Sequence, residues 1–303
     1  MFSTLDVIDK NILTDLILNC RTSYQEMAIK YNLSANAIKK RINNMISKGV
    51  IEKFTIQLSL EMINADILMC IIQTNGTEDE EEFIEYIGND PRFSSLGRAS
   101  GNLYIAFAKY MNGTTGLSEI RLFLNKKFVN NIELFPLLME RGGKVELSRA
   151  ELTILKYLMD NPRIPISEIS KKSGISSKMI STIITDLTER TIVLFSITYS
   201  PGTDSILFLE KIDWNDQEMR LDELLEWLPK QFPEDFWIPA GICATEPIIF
   251  AAFISNNLAR IPEITKSIKE NKAVKSVTPI IGQPNKIYPD YSVLRLQELV
   301  KDI

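Results

Sequence analysis

The chain has 303 residues, 45% of them hydrophobic, with 34 Lys and Arg against 39 Asp and Glu, a net charge of −5, and no histidine. That length suits two to four globular domains, and the missing imidazole excludes His-based acid–base chemistry, Ser-His and Cys-His nucleophiles and most catalytic zinc sites. No apolar run approaches the roughly 20 residues that span a bilayer, no charged-then-apolar leader opens the chain, and Cys20, Cys70 and Cys243 lie scattered, so the expected setting is reducing and cytoplasmic, with no membrane, metal or cofactor.

Leu5, Ile8, Ile12, Leu13 and Leu16 recur at helical spacing, with Asp6 and Asp9 in the opening turn where negative charge suits the helix dipole. Tyr24 to Tyr31 supplies a second helix and Ala35 to Lys48 a third, with Ser34 placed as N-cap and Gly49 as the stop. In the third helix Ile38, Ile42, Met45 and Ile46 form one apolar stripe. Asn36, Lys40, Asn43, Asn44 and Ser47 fall on the opposite face, flanked by Lys39, Arg41 and Lys48. Amides pair in bidentate fashion with adenine, and lysine reaches guanine or phosphate, so this face suits a major groove. A merely solvated helix face would carry similar charge; the turn, cap, stripe and following strand together favour DNA. The candidate DNA-binding residues are Tyr24, Ser34, Asn36, Lys39, Lys40, Arg41, Asn43, Asn44 and Lys48. Asn36, Lys39 and Lys40 are assigned to base readout, and Arg41, Lys48 and Tyr24 to the phosphate backbone. Val50 to Leu58 reads as a strand, the wing of a winged helix.

From Asp66 the periodicity changes. Strand Ile67 to Thr74, helix Glu78 to Ile87, strands Phe93 to Leu96 and Leu103 to Tyr110, helix Thr115 to Phe128 and strand Ile132 to Met139 give the order βαββαβ. That order predicts an α+β ferredoxin-like sandwich, a four-stranded antiparallel sheet with two helices on one face and an open face that needs a partner.

At Leu147 the pattern restarts. A gapless shift of 142 residues places Leu5 on Leu147, Ile12 on Ile154, Arg21 on Arg163, Ser34 on Ser176, Ile38 on Ile180 and Ile42 on Ile184. A second βαββαβ set follows, from Ile206 to Ile281, and a last helix, Tyr291 to Asp302, has no counterpart in the first half. The expected domains are 1–58 (DNA-reading winged helix), 59–146 (ferredoxin-like), 147–202 (degenerate winged helix) and 203–303 (ferredoxin-like with a C-terminal helix). Their charges alternate, +3, −5, +2 and −5, so the basic parts coincide with the helix-turn-helix patterns. In the second copy Lys178, Thr182, Thr185, Asp186 and Glu189 occupy the groove-facing positions, and residues 176–190 are neutral against +4 for 34–48. This second unit is expected to be mainly structural, its wider apolar stripe of Met179 and Ile183 covered by another surface; a weaker DNA contact through Lys178 is the competing view.

The segment from Leu5 to Phe54 resembles the N-terminal winged helix of Lrp/AsnC-type regulators. It has the Leu-Asp opening, Arg-x-Ser before the second helix, Leu-Ser before the third and Gly-Val-Ile after it. The resemblance implies a transcription regulator that binds double-stranded DNA. It also implies a βαββαβ domain whose Gly-containing loop takes an amino acid or other small-molecule effector, at Ser100, Gly101 and Asn102 here; a plain hairpin turn at Gly101 is the alternative. It further implies pairing of the two sandwiches within one chain, and a homodimer, in effect a tetramer of sandwiches, reading a palindrome. Siroheme decarboxylases are similar to this family and pair two related subunits, but their expected histidines are absent here. The chain is therefore expected not to be an enzyme. A scaffold or sensor without DNA binding is a further alternative.

Overall fold

The computed structural model describes residues 5–200, 205–282 and 285–303. The chain opens with helices α1 (Val7–Leu18), α2 (Tyr24–Tyr31) and α3 (Ala35–Ser47) and strand β1 (Ile51–Leu58). Then follow β2 (Asp66–Thr74), α4 (Glu80–Gly88), β3 (Phe93–Ala99), β4 (Leu103–Tyr110), α5 (Thr114–Leu124) and β5 (Val129–Pro136). The second half repeats this plan: α6 (Arg149–Asp160), α7 (Ile166–Ser173), α8 (Ser177–Glu189) and β6 (Val193–Tyr199), then β7 (Ile206–Trp214), α9 (Leu221–Gln231), β8 (Phe236–Ile242), β9 (Ile248–Ser255), α10 (Arg260–Lys269) and β10 (Val274–Ile281). A short β11 (Lys286–Ile287) and α11 (Tyr291–Val300) end it. The fold is α+β, two tandem units each made of a winged helix-turn-helix and a βαββαβ sandwich.

Compactness groups these segments by type. One unit joins Met1–Asn11, Asp66–Met139 and Pro201–Tyr288, and so holds both sandwiches; the other joins Ile12–Ala65, Glu140–Ser200 and Pro289–Ile303, and so holds both winged helices.

In the sandwich unit the sheet orders β3-β4-β2-β5 and β10-β7-β9-β8 are the same topology twice. Side chains alternate along each strand. On β2, Leu68, Cys70 and Ile72 face the helical layer with Phe83, Ile87 and Ile120, while Met69 and Ile71 point the other way. That second face, expected to need a partner, meets its counterpart from the other half. Met69, Ile71, Ile105 and Phe135 pack with Cys243, Ile248, Phe250 and Ile280, and the Phe135 and Phe250 rings meet edge-on at 5.1 Å. Each fully buried side chain of this size contributes roughly 1.5–3 kcal/mol, so the interface is a core. Backbone bonds seal both of its edges. Leu137 bridges Cys243 and Ala99 bridges Gly282, extended by Ala244 N–H to Pro136 O at 2.8 Å and Ser100 N–H to Ile281 O at 2.9 Å. An ion pair crosses between the sheets, Lys211 Nζ to Glu133 Oε2 at 2.5 Å.

Several element bounds differ from those expected, and three of the differences bear on packing. Strand β11 was not expected; it pairs with β3, and Tyr288 just beyond it lies against Gly88, where a Cβ would come within 2.1 Å of the ring. Helix α5 stops at Leu124 instead of Phe128, because Phe128 leaves the helix to pack edge-on against Phe83 at 5.1 Å. Strand β5 accordingly begins at Val129, and Leu138 and Met139, placed in the strand by their apolarity, lie beyond its end and are exposed.

The core of the second sandwich contains a charge-bearing side chain. Glu210, paired with Ala251, occupies the place of Cys70, paired with Ala106, in the first copy. It is fully buried, its Oε1 lies within hydrogen-bonding distance of Thr265 Oγ1, and its Oε2 has no partner. Thr265 Oγ1 also lies 2.9 Å from Ile261 O. A hydroxyl has one hydrogen, and a carbonyl only accepts, so both contacts are hydrogen bonds only when Glu210 carries the proton. Burial pushes its pKa from 4.5 up to about 7, outweighing the Thr265 hydroxyl, which lowers it only by donating to the ionised form. A carboxyl whose folded pKa is raised keeps its proton where the unfolded chain has already lost it, so stability falls as pH rises from about 4.5 to about 7 and then levels. Glu210→Gln is expected to flatten this dependence, gaining on the order of 2–3 kcal/mol on wild type between pH 5 and pH 8. Urea denaturation at the two pH values measures it, and parallel losses in both proteins would contradict the assignment.

Candidate nucleic-acid interface

Local signals build the first winged helix, and the serine cap of its third helix recurs at Ser176 in the second. Ser23 and Glu26 form a reciprocal capping box at the start of α2, the hydroxyl accepting from Glu26 N–H at 3.1 Å and the carboxylate from Ser23 N–H at 2.7 Å. These bonds hold the Glu26 carboxyl below its ordinary pKa. Asn32 ends α2 in the left-handed region at φ 52°. Ser34 then caps α3, its Oγ accepting from Ala37 N–H at 3.1 Å, and Gly49 at φ +71° turns the chain out into β1.

Ile38, Ile42 and Met45 of α3 are buried with Ile12, Leu13 and Leu16 of α1 and Met27 and Ala28 of α2. Ile46, read as part of the same stripe, is instead 42% exposed. At i+8 it has drifted about 80° round the helix from Ile38, to the edge of the packed surface. Opposite the core, Ser34, Asn36, Lys39, Lys40, Asn43, Asn44, Ser47 and Lys48 are all exposed, and Arg41 is half-buried at the flank. The amide and lysine side chains thus share one continuous face. Ser34 differs in use, since its hydroxyl already serves as a cap. Tyr24 differs too: its half-buried ring holds the guanidinium of Arg163 at 4.9 Å.

The shift of 142 residues carries α1, α2 and α3 onto α6, α7 and α8 residue for residue. The two copies face each other through their strands. β1 does not fold back as an isolated wing; it pairs antiparallel with β6, Thr55 opposite Ser196 near the centre. Both strands contribute one apolar edge, Ile56 and Leu58 with Val193, Phe195 and Ile197 buried. Helix α11 closes over the ribbon and α6, burying Leu296 and Val300 and donating from Ser292 Oγ to Leu58 O at 2.9 Å.

The 142-residue repeat aligns Arg21 with Arg163. In the structure they exchange places. Arg21 Nη1 donates to Pro162 O at 2.6 Å and Arg163 Nη1 to Cys20 O at 2.8 Å, acceptors that are themselves related by the same shift. Arg21 lies 5.6 Å from the Phe195 ring and Arg163 5.3 Å from the Phe54 ring. Burial lowers the Arg21 pKa and raises that of the enclosed Cys20 thiol to about 11. The only sequence signal was a matched arginine before the second helix in both copies.

The expectation that the wider stripe of α8 is covered by another surface is not met: Met179 is 48% exposed and Ile183 only partly buried, while Ile180, Ile184 and Leu187 form the buried side of the helix. Asp186, expected to repel phosphate, is paired with Arg190 at 2.9 Å on the same helix.

The expected effector loop lies in the sandwich unit. Gly101 (φ +78°) and Asn102 (φ 57°) complete a hairpin between β3 and β4. They line a cavity of about 360 Å³ with Arg98, Ser100, Ile281 and Gly282. The Asn102 carbonyl is taken by Thr74 N–H at 2.9 Å, and Arg98 by Glu80.

A winged helix whose third helix presents amides and lysines to solvent is the arrangement of a DNA-binding module. The profile of the winged helix-turn-helix DNA-binding family matches residues 5–52 and again 147–190. The HTH-type transcriptional regulator PH1692 of Pyrococcus horikoshii is 34% identical over 110 residues, 36% of this chain and 74% of that protein. The regulator LrpC of Bacillus subtilis is 28% identical over 97 residues, 32% of this chain and 67% of its own. The chain belongs to the Lrp/AsnC family of HTH-type transcription regulators. A match over the whole length comes from a different quarter: the crystal structure of the siroheme decarboxylase NirDL superposes with a TM-score of 0.57, covering 97% of this chain and 98% of that one at 14% identity. The tandem fold is thus shared with an enzyme, and this overturns the expectation, drawn from the absent histidines, that the chain has no place among enzymes. No helix among the described residues is long and apolar enough to cross a membrane.

Replacing Arg163 by Ala removes a charge-assisted bond to Cys20 O and the ring contacts of Tyr24 and Phe54, an expected loss of about 2 kcal/mol. Arg163→Lys is expected to recover less than half of it, since an ammonium lacks the planar fork. Chemical denaturation reads both; a loss below about 0.5 kcal/mol would mean the exchange is no better than solvation.

Proposed function

We propose that this protein is a sequence-specific DNA-binding transcription regulator that lays α3 in the major groove of double-stranded DNA. The observation that carries the reading is the segregation of α3: Ile38, Ile42 and Met45 are buried, while Asn36, Lys39, Lys40, Asn43 and Asn44 are presented together to solvent. Asn36, Lys39, Lys40 and Asn43 reach base edges, with Asn44 behind them, and Lys48 and Arg41 neutralise phosphate at the flanks. Ser34 acts through the helix cap. Tyr24 acts through Arg163 rather than through DNA.

An amino acid or similar small molecule would sit in the cavity beside Ser100, Gly101 and Asn102, where Arg98 exchanges its Glu80 partner for the ligand carboxylate. A second reading follows from the full-length likeness to the siroheme decarboxylase NirDL: chemistry on a siroheme-type tetrapyrrole between the paired halves. Without histidine, such chemistry would fall to Lys, Arg, Tyr or carboxylate groups.

Lys40→Ala is expected to lower affinity for a selected site about tenfold or more while leaving nonspecific binding nearly unchanged. Lys48→Ala is expected to weaken both alike and to reduce the slope of log affinity against log salt by about one. Equal effects of the two changes in a titration at several salt concentrations would contradict the roles. One ligand screen separates the remaining readings. A binding amino acid is expected to raise the melting temperature of the chain, and a panel without any shift would remove the effector. Loss of carboxyl groups from added siroheme, followed by mass, would establish the enzyme, and unaltered siroheme would leave regulation alone.

A further inference from the structure

The unit that holds both winged helices contains a complete dyad in a single chain. The antiparallel pairing of β1 with β6 has a local two-fold axis near Thr55 and Ser196. The exchange of Arg21 and Arg163 between Pro162 and Cys20 obeys the same axis. Helices α3 and α8 therefore occupy equivalent positions about it, residue n against n + 142. Their chemistry is not equivalent. Where α3 presents Lys40, Asn43 and Asn44, α8 presents Thr182, Thr185 and an Asp186 already neutralised by Arg190, and Asn36 becomes Lys178.

We infer that one chain binds one duplex through both helices and reads two inverted half-sites of unlike sequence, with α8 as the second, specificity-determining reader. The inference rests on the DNA-binding reading of α3 given above. From Ser176 to Thr185 helix α8 carries Lys178 and no acidic residue, and Lys178, Ser181, Thr182 and Thr185 are all exposed. This leading half is the part of a recognition helix that enters the groove. Asn and Lys suit adenine and guanine edges, whereas threonine offers a hydroxyl to any base and a methyl to the methyl of thymine, which the exposed Met179 also fits. The α3 half-site is accordingly purine-reading and the stronger. The α8 half-site is thymine-containing and contributes less. On this inference the operator is asymmetric and one chain reads it, in place of a palindrome read by two.

The test is selection of bound duplexes from a random library by the whole chain at two salt concentrations, repeated with Asn43→Ala and with the pair Thr182→Ala and Thr185→Ala. These side chains are exposed, and thermal melting checks that each variant is folded. The expected result is an inverted pair of half-sites with different consensus sequences, one bound chain per duplex. Asn43→Ala is expected to relax base preference about tenfold in one half only, and the threonine pair about fivefold in the other only. A true palindrome whose halves both respond to Asn43→Ala, or a single half-site indifferent to the threonine pair, would overturn the inference and leave the α3 reading standing. Absence of any enriched sequence with wild type would overturn that reading and this inference with it.

Discussion

A four-stranded sheet with helices on only one face cannot leave the other face in water when that face is built of Met69, Ile71, Ile105 and Phe135. Covering it is the constraint on which the rest of this structure depends. The chain meets it by carrying a second copy of the same sheet, so that Phe250 and Ile280 stand where a partner subunit's side chains would otherwise be needed. Because the two faces are apolar and alternate strictly with helix-facing residues, a one-residue slip in either sheet would send its apolar side chains to the wrong layer. The edge bridges at Ala99 to Gly282 and Leu137 to Cys243 hold that register.

Duplication that solves the burial problem also frees each copy to diverge. Paired identical subunits must carry the same residue in both places. A fused pair need not. The first sandwich keeps Cys70 in its core where the second places Glu210, and the first recognition helix keeps Asn and Lys where the second places Thr and Asp. What has stayed alike is what the pairing itself uses. Arg21 and Arg163 each reach a carbonyl before the second helix of the other copy, and loss of either would leave its half of the exchange unmade. On exposed helix faces such divergence costs little folding free energy.

The winged helix is shared with HTH-type regulators, and the whole tandem architecture with NirDL, an enzyme acting on siroheme, as its name states. Fold alone does not choose between such roles, because function resides in side chains placed on it. In this chain the side chains that form a coherent surface are those of α3. The cavity beside Gly101 is smaller in its chemical content, with one guanidinium already paired to Glu80 and one carbonyl already taken by Thr74. That contrast is why DNA recognition, rather than ligand chemistry, leads the functional reading.

Sequence by itself determined the helices of both winged units, the βαββαβ order, the repeat and the candidate reading face. These are local or periodic properties, set by caps such as Ser34, stops such as Gly49 and the stripe of Ile38, Ile42 and Met45. Tertiary structure alone decided how the copies meet. The pairing of β1 with β6, the exchange of Arg21 and Arg163, the added strand β11 and the use of Tyr24 as a seat for Arg163 join residues far apart in the chain. Periodicity shows that a face is apolar but not what covers it, which is why Ile46 and Met179 read as buried and are exposed. The burial of Glu210 is of the same kind: a lone acid in a strand reads as a solvent-facing residue until the helix above it, with Thr265, is in place.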